Sequence, residues 1–111
     1  EMVALGRRHV LDHHPPHVEL VLYCTMEPCL MCFAALSLSG IGRVVYAYED
    51  VMGGGTGCDL ASLPPLYRSL KPEIVGGVLR GESLALFQTF FADARNDYWQ
   101  GSLLAEYTAA Q

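Results

Sequence analysis

Basic residues are scarce in this chain of 111 residues: seven, of which only Lys71 is lysine, stand against twelve acidic ones, for a net charge of -5. A nucleic-acid backbone is usually held by a basic face that displaces condensed counterions, so this balance argues against a partner gripped through its phosphates. Long apolar runs are lacking too. None approaches the ~18 residues of a membrane span, and no signal-peptide pattern is present, so no membrane partner is expected. There is no internal repeat, no low-complexity linker, no second C-x-x-C and no P-loop around Gly53-Gly54-Gly55. An initiator methionine is also absent, since residue 1 is Glu1.

What is there suits a globular enzyme. Apolar residues make up 51% of the chain, enough for one core at this length but hardly for two, so residues 1–111 are expected to form a single domain. Four cysteines would allow disulfides, but Cys29 and Cys32 stand at helical spacing in a chain with a real core. That fits a reducing compartment, and a cytoplasmic location is expected.

Apolar spacing at Met2, Leu5 and Val10 predicts a helix over 1–13, ended by Pro15-Pro16. A strand is expected over Val18 to Cys24, a helix without a polar stripe over Pro28 to Ser39, and a strand over Arg43 to Tyr48. Beyond the Gly53-Gly54-Gly55 loop, expected to be mobile, come a helix over Leu60 to Leu70 disturbed by Pro64-Pro65 and a strand from Glu73 to about Leu79. The segment between Tyr48 and Ile74 is long enough for a crossover, so these last two strands should be parallel. An amphipathic helix over Ser83 to Trp99 and a weak terminal turn or helix after Gly101 complete the pattern.

The chemistry concentrates in Thr25-Met26-Glu27-Pro28-Cys29-Leu30-Met31-Cys32. Residues i and i+3 of a helix lie on one face, so both sulfurs can reach one ion at the ~2.3 Å of a zinc–thiolate bond. Pro28 suits a first helical position, and the positive end of the helix dipole favours thiolate. Two alternatives share the motif: a dithiol oxidoreductase using Cys29 and Cys32, and cysteines that merely pack. Cys24 and Cys58 read as core or loop cysteines.

Leu22-Tyr23-Cys24-Thr25-Met26-Glu27-Pro28-Cys29-Leu30-Met31-Cys32, with Glu1-Met2-Val3-Ala4-Leu5 before it, resembles the zinc-dependent cytidine/deoxycytidylate deaminase superfamily, whose motifs are H-x-E and P-C-x-x-C. Ile41-Gly42-Arg43-Val44-Val45-Tyr46, Gly77-Val78-Leu79, Glu82 and Ala85-Leu86-Phe87 are most similar to its bacterial tRNA adenosine deaminase branch. The resemblance covers residues 1 to about 92. It implies an α/β fold, a three-layer cytidine-deaminase-like sandwich with a central mixed sheet, helices on both faces and the last two strands parallel. It implies Zn2+ held by Cys29, Cys32 and a histidine two residues before Glu1, with Glu1 as proton shuttle. That histidine is not in this sequence, and the family's N-terminal helix and two strands would precede Glu1, so the chain is expected to be the C-terminal part of the family domain. Parallel last strands suit the tRNA-editing, guanine and deoxycytidylate-like branches, whereas a hairpin would suit the cytidine deaminase branch.

His17-Val18-Glu19 also spells H-x-E, but a strand starting there would carry the chain roughly 20 Å before the cysteine helix. His9, His13 and His14 fit the negative end of the first helix and its proline break. None of the four is expected to be a ligand. Asp50, Tyr98 and Trp99 are the candidate substrate-binding residues, and Phe90 and Phe91 are expected in the core. The expected activity is hydrolytic deamination of a nucleobase. With so few basic residues, a free base, nucleoside or nucleotide is expected ahead of tRNA, and the base itself stays open. A homodimer is expected, with the apolar helix from Pro28 contributing to it. The alternatives are the dithiol oxidoreductase and a non-catalytic, metal-stabilised partner subunit.

Overall fold

The computed structural model describes residues 1–7 and 19–111. His9, His13, His14, His17 and the latter part of the expected first helix lie outside the described residues. At the centre is a three-stranded sheet in the order β1 (Val21–Met26), β2 (Arg43–Tyr48), β3 (Glu73–Val75). Both pairings are parallel, with Leu22 opposite Val44 and Val44 opposite Ile74, so the expected parallel arrangement of the last two strands is present. β2 lies in the middle, and Val44, Val45, Ala47 and Tyr48 are buried, as expected for an apolar strand covered on both faces.

One face is covered by α1 (Met2–Gly6) and α2 (Leu30–Leu38): Leu36, Ile41 and Val44 form a core cluster with Leu5, Leu22, Cys24 and Ile74 packed against it. Phe33 and Leu36 are fully buried, and such side chains contribute about 1.5–3 kcal/mol each. Alternate residues of the strands point the other way. There Leu86 and Ser83 of α4 (Arg80–Ala92) line a groove with Tyr23, Thr25 and Ala47. Phe87 stacks on Tyr48 with ring centroids 5.1 Å apart, and Ser83 Oγ donates to the Thr25 carbonyl at 2.9 Å. α5 (Leu103–Ala110) then folds back on α4, and the fully buried Tyr48 and Thr108 meet through their hydroxyls at 3.0 Å.

Several boundaries differ from the sequence reading, each for a physical reason. β1 ends at Met26, not Cys24, because Glu27 N–H still donates to the Tyr48 carbonyl at 2.8 Å. β3 stops at Val75 rather than near Leu79: a Cβ on Gly76 would lie 2.6 Å from the Tyr46 ring, and Gly77 at φ 84° turns the chain into α4. The helix expected over Leu60 to Leu70 splits at Pro64 into a 3-10 turn, Leu60–Ser62, and α3, Pro65–Arg68. α4 ends at Ala92 instead of Trp99, where Arg95 N–H donates to the Asp93 carboxylate at 3.0 Å and the chain reverses. α2 is not buried all round, since Leu30, Met31 and Leu38 are exposed. Among the described residues no helix is long and apolar enough to cross a membrane.

Candidate active site

Cys29 is the N-cap of α2, with extended backbone at φ -67° and ψ 169°, and the fully buried Pro28 precedes the cap. This corrects the expectation of Pro28 at the first helical position. Cys32 follows one turn on, buried, while Cys29 is exposed. The Cys32 backbone N–H holds the Cys29 thiol below its usual pKa, helped by the Cys32 thiol donating to its sulfur and by the Met31 N–H. Cys32 moves the opposite way, to about 11, because burial disfavours its thiolate and because its thiol donates to the Glu1 carboxylate and to Cys29. The two sulfurs therefore face one another, with the Glu1 carboxylate on Cys32.

Cys24 joins this group. It lies in β1 beneath α1, and its pKa rises to about 11 through burial, the nearby charge of Glu1 and a hydrogen bond to that carboxylate. Sequence reasoning missed this contact, and no local signal reveals it. The alternation of β1, which puts Cys24 on the same face as Leu22, is the one hint.

The loop after β2 is packed rather than mobile. Glu27, also missed, organises it: Asp50 N–H donates to Glu27 Oε2 at 3.1 Å and Thr56 N–H to Oε1 at 3.3 Å, while the Thr56 hydroxyl bonds the same carboxylate. Gly54 bridges Cys29, and Gly55 N–H donates to the Pro28 carbonyl at 2.8 Å. A Cβ on Gly55 would meet the Leu30 backbone at 2.5 Å. The glycines therefore allow close approach to the start of α2, and nothing about them forms a phosphate cradle.

Asp50, Tyr98 and Trp99 are brought together, lining one cavity of about 580 Å3 with Met52, Phe90 and Phe91. Phe90, expected in the core, is 38% exposed there. Glu1, Cys29 and Cys32 do not line this cavity, which connects with them through the loop from Asp50 to Gly54. Two facing soft thiols at a helix start are a donor pair suited to zinc. Among the described residues no third His, Cys, Asp or Glu completes a metal-holding group.

Residues 1–48 match the model of the cytidine and deoxycytidylate deaminase zinc-binding region. Similar curated proteins include the tRNA-specific adenosine deaminase of Agrobacterium fabrum, 36% identical over 68% of this chain and 50% of that protein. That of Bacillus subtilis is 36% identical over 67% of this chain and 46% of its own length. The chain thus spans about half the length of these relatives. A solved structure from studies of A-to-I editing by tRNA:A34 deaminases at the wobble position of transfer RNA is also similar. It has a TM-score of 0.56 and 26% identity, over 77% of this chain and 62% of that one. These relatives overturn the expectation that a free base or nucleoside comes ahead of tRNA. The expectation failed because net charge reports how a surface meets phosphates, whereas RNA is also recognised through splayed bases.

Proposed function

The chain belongs to the cytidine and deoxycytidylate deaminase superfamily, in its tRNA adenosine deaminase-like branch, and from that premise we propose that it takes part in hydrolytic deamination of adenosine in tRNA. The observation that carries this reading is the Glu1 carboxylate set against the Cys32 thiol, with Cys29 facing the same point from the N-cap of α2.

In this reading Cys29 and Cys32 hold zinc as thiolates, the matched region being a zinc-binding one. Zinc, when bound, lowers the pKa of a water from 15.7 to roughly 7. Glu1 then does the proton work. It takes a proton from the attacking water as the new C–O bond forms at C6 of the purine. It delivers protons to the ring nitrogen and to the exocyclic amine, whose C–N bond breaks as ammonia departs and the carbonyl forms. Glu27 acts at a distance from the chemistry by fastening the Asp50 loop against the start of α2.

The test pairs metal content with turnover, on protein made from its complete reading frame. Glu1→Gln is expected to keep its zinc and lose about 10²- to 10⁴-fold in inosine formation on tRNA, the contribution of one positioned acid–base group. Cys29→Ala and Cys32→Ala are expected to lose both. Near-normal turnover in Glu1→Gln would end the assignment of Glu1.

A further inference from the structure

The fold-back of α5 on α4 makes a feature that the deamination chemistry does not use. α4 stops at Asp93, and the turn that follows holds Trp99 at φ 62°, a left-handed backbone rarely adopted by so bulky a residue. Such an outlier persists where the surroundings over-determine it. Here it sets Tyr98 and Trp99 edge to face, at an interplanar angle of 86°, along the cavity they share with Phe90 and Met52.

No lysine or arginine lines that cavity, and its single charged residue is Asp50. Asp50 is oriented by its own loop: Oδ1 accepts from Met52 N–H at 3.0 Å and from Gly53 N–H at 2.8 Å. Both loop donors go to Oδ1, so Oδ2 can accept from a ligand. The chemistry is that of a flat, neutral, stacking group carrying an N–H donor, and it is wrong for a phosphate. The same loop reaches the start of α2, where Gly54 pairs with Cys29.

We propose that the cavity between Asp50 and the Tyr98–Trp99 turn is a subsite for one unpaired nucleobase of the substrate RNA, next to the reacting adenosine. Tyr98 and Trp99 supply stacking, and Asp50 Oδ2 accepts from an exocyclic amino group, which favours cytosine over uracil. The subsite rests on the reading of an RNA substrate.

Trp99 is the chain's one tryptophan, so its fluorescence reports stacking directly. The experiment titrates the protein, with and without zinc, with short single-stranded RNAs in which the base beside a central adenosine is cytosine or uracil. Saturable quenching is expected, about five- to ten-fold tighter for cytosine, and independent of zinc. Tyr98→Ala, at a side chain 66% exposed, is expected to weaken binding about ten-fold. Asp50→Asn keeps the Oδ1 acceptor and replaces the free oxygen by a donor, so the preference should move toward uracil.

Quenching by a guanidinium ligand such as arginine amide but not by RNA would overturn the subsite in favour of a cation cage. Absence of quenching in a protein that still forms inosine in tRNA would overturn the subsite and leave the proposed reaction standing. Cytosine-selective quenching in a protein inert on every tRNA would uphold the subsite and remove the reaction.

Discussion

Cys29 and Cys32 belong to one motif, yet their surroundings separate them. The Cys32 N–H and the facing thiol draw the exposed Cys29 toward thiolate, while burial and Glu1 hold Cys32 protonated, near pKa 11. Alkylation follows the thiolate, so in metal-free protein near neutral pH iodoacetamide should mark Cys29 well before Cys32. Peptide mass spectrometry over a time course measures this. Equal rates, or Cys32 first, would refute the asymmetry. The motif itself was legible from spacing alone, since i and i+3 share a face on any helix. The difference between its two thiols was not, because it arises from Glu1, far away in sequence, and from the N-cap conformation of Cys29.

Elements were legible where local pattern decides and illegible where distant contacts do. β2 was read to the residue, because its apolar run and the glycines before it are local signals. The loop after it was taken as mobile, because its fastening depends on Glu27, more than twenty residues upstream. Gly55 tests that fastening. Gly55→Ala would press a Cβ to 2.5 Å from the Leu30 backbone, a contact that main chain on both sides cannot relieve, and a loss of about 1–3 kcal/mol is expected by denaturant unfolding. Unchanged stability would show that the loop is not packed on α2. α4 was read too long for a similar reason: its phenylalanines continue the helical period, and the stop comes from the Asp93–Arg95 turn. The fold-back it permits is locked by Glu49, which accepts from Arg80 and from Tyr107 of α5. Those two donors lower the Glu49 pKa to about 2. A folded pKa below the unfolded value contributes stability that is full above ~4.3 and is lost as pH falls toward 2. Glu49→Gln should therefore lower the melting temperature at pH 7 and bring little further loss at pH 3. An equal loss at both pH values would deny the ion pair its role.

At the scale of the whole molecule, the radius of gyration is 15.8 Å, against about 13 Å for a compact chain of this length. The core is correspondingly small, and apolar side chains such as Tyr23, Leu30, Met31 and Leu86 face outward. The charge is as sparse as the core. Arg43 pairs with Glu19 and Glu73, Arg80 with Glu49, and Arg95 with Asp93, so three of the described arginines are already neutralised at home. An RNA bound by this chain therefore meets few free cations, and its affinity has to come from bases. This fixes an expectation that net charge by itself misread. For single strands, log K falls against log salt by about 0.7 per neutralised phosphate. Titrating a single-stranded RNA against the protein from low to high potassium chloride, we expect a slope shallower than about -2, with Tyr98→Ala lowering affinity at every salt concentration and leaving the slope unchanged. A slope steeper than about -4 would mean that phosphates dominate. In that case the surface that holds the RNA is one this acidic chain does not present, and the aromatic turn at Tyr98 and Trp99 is incidental to binding.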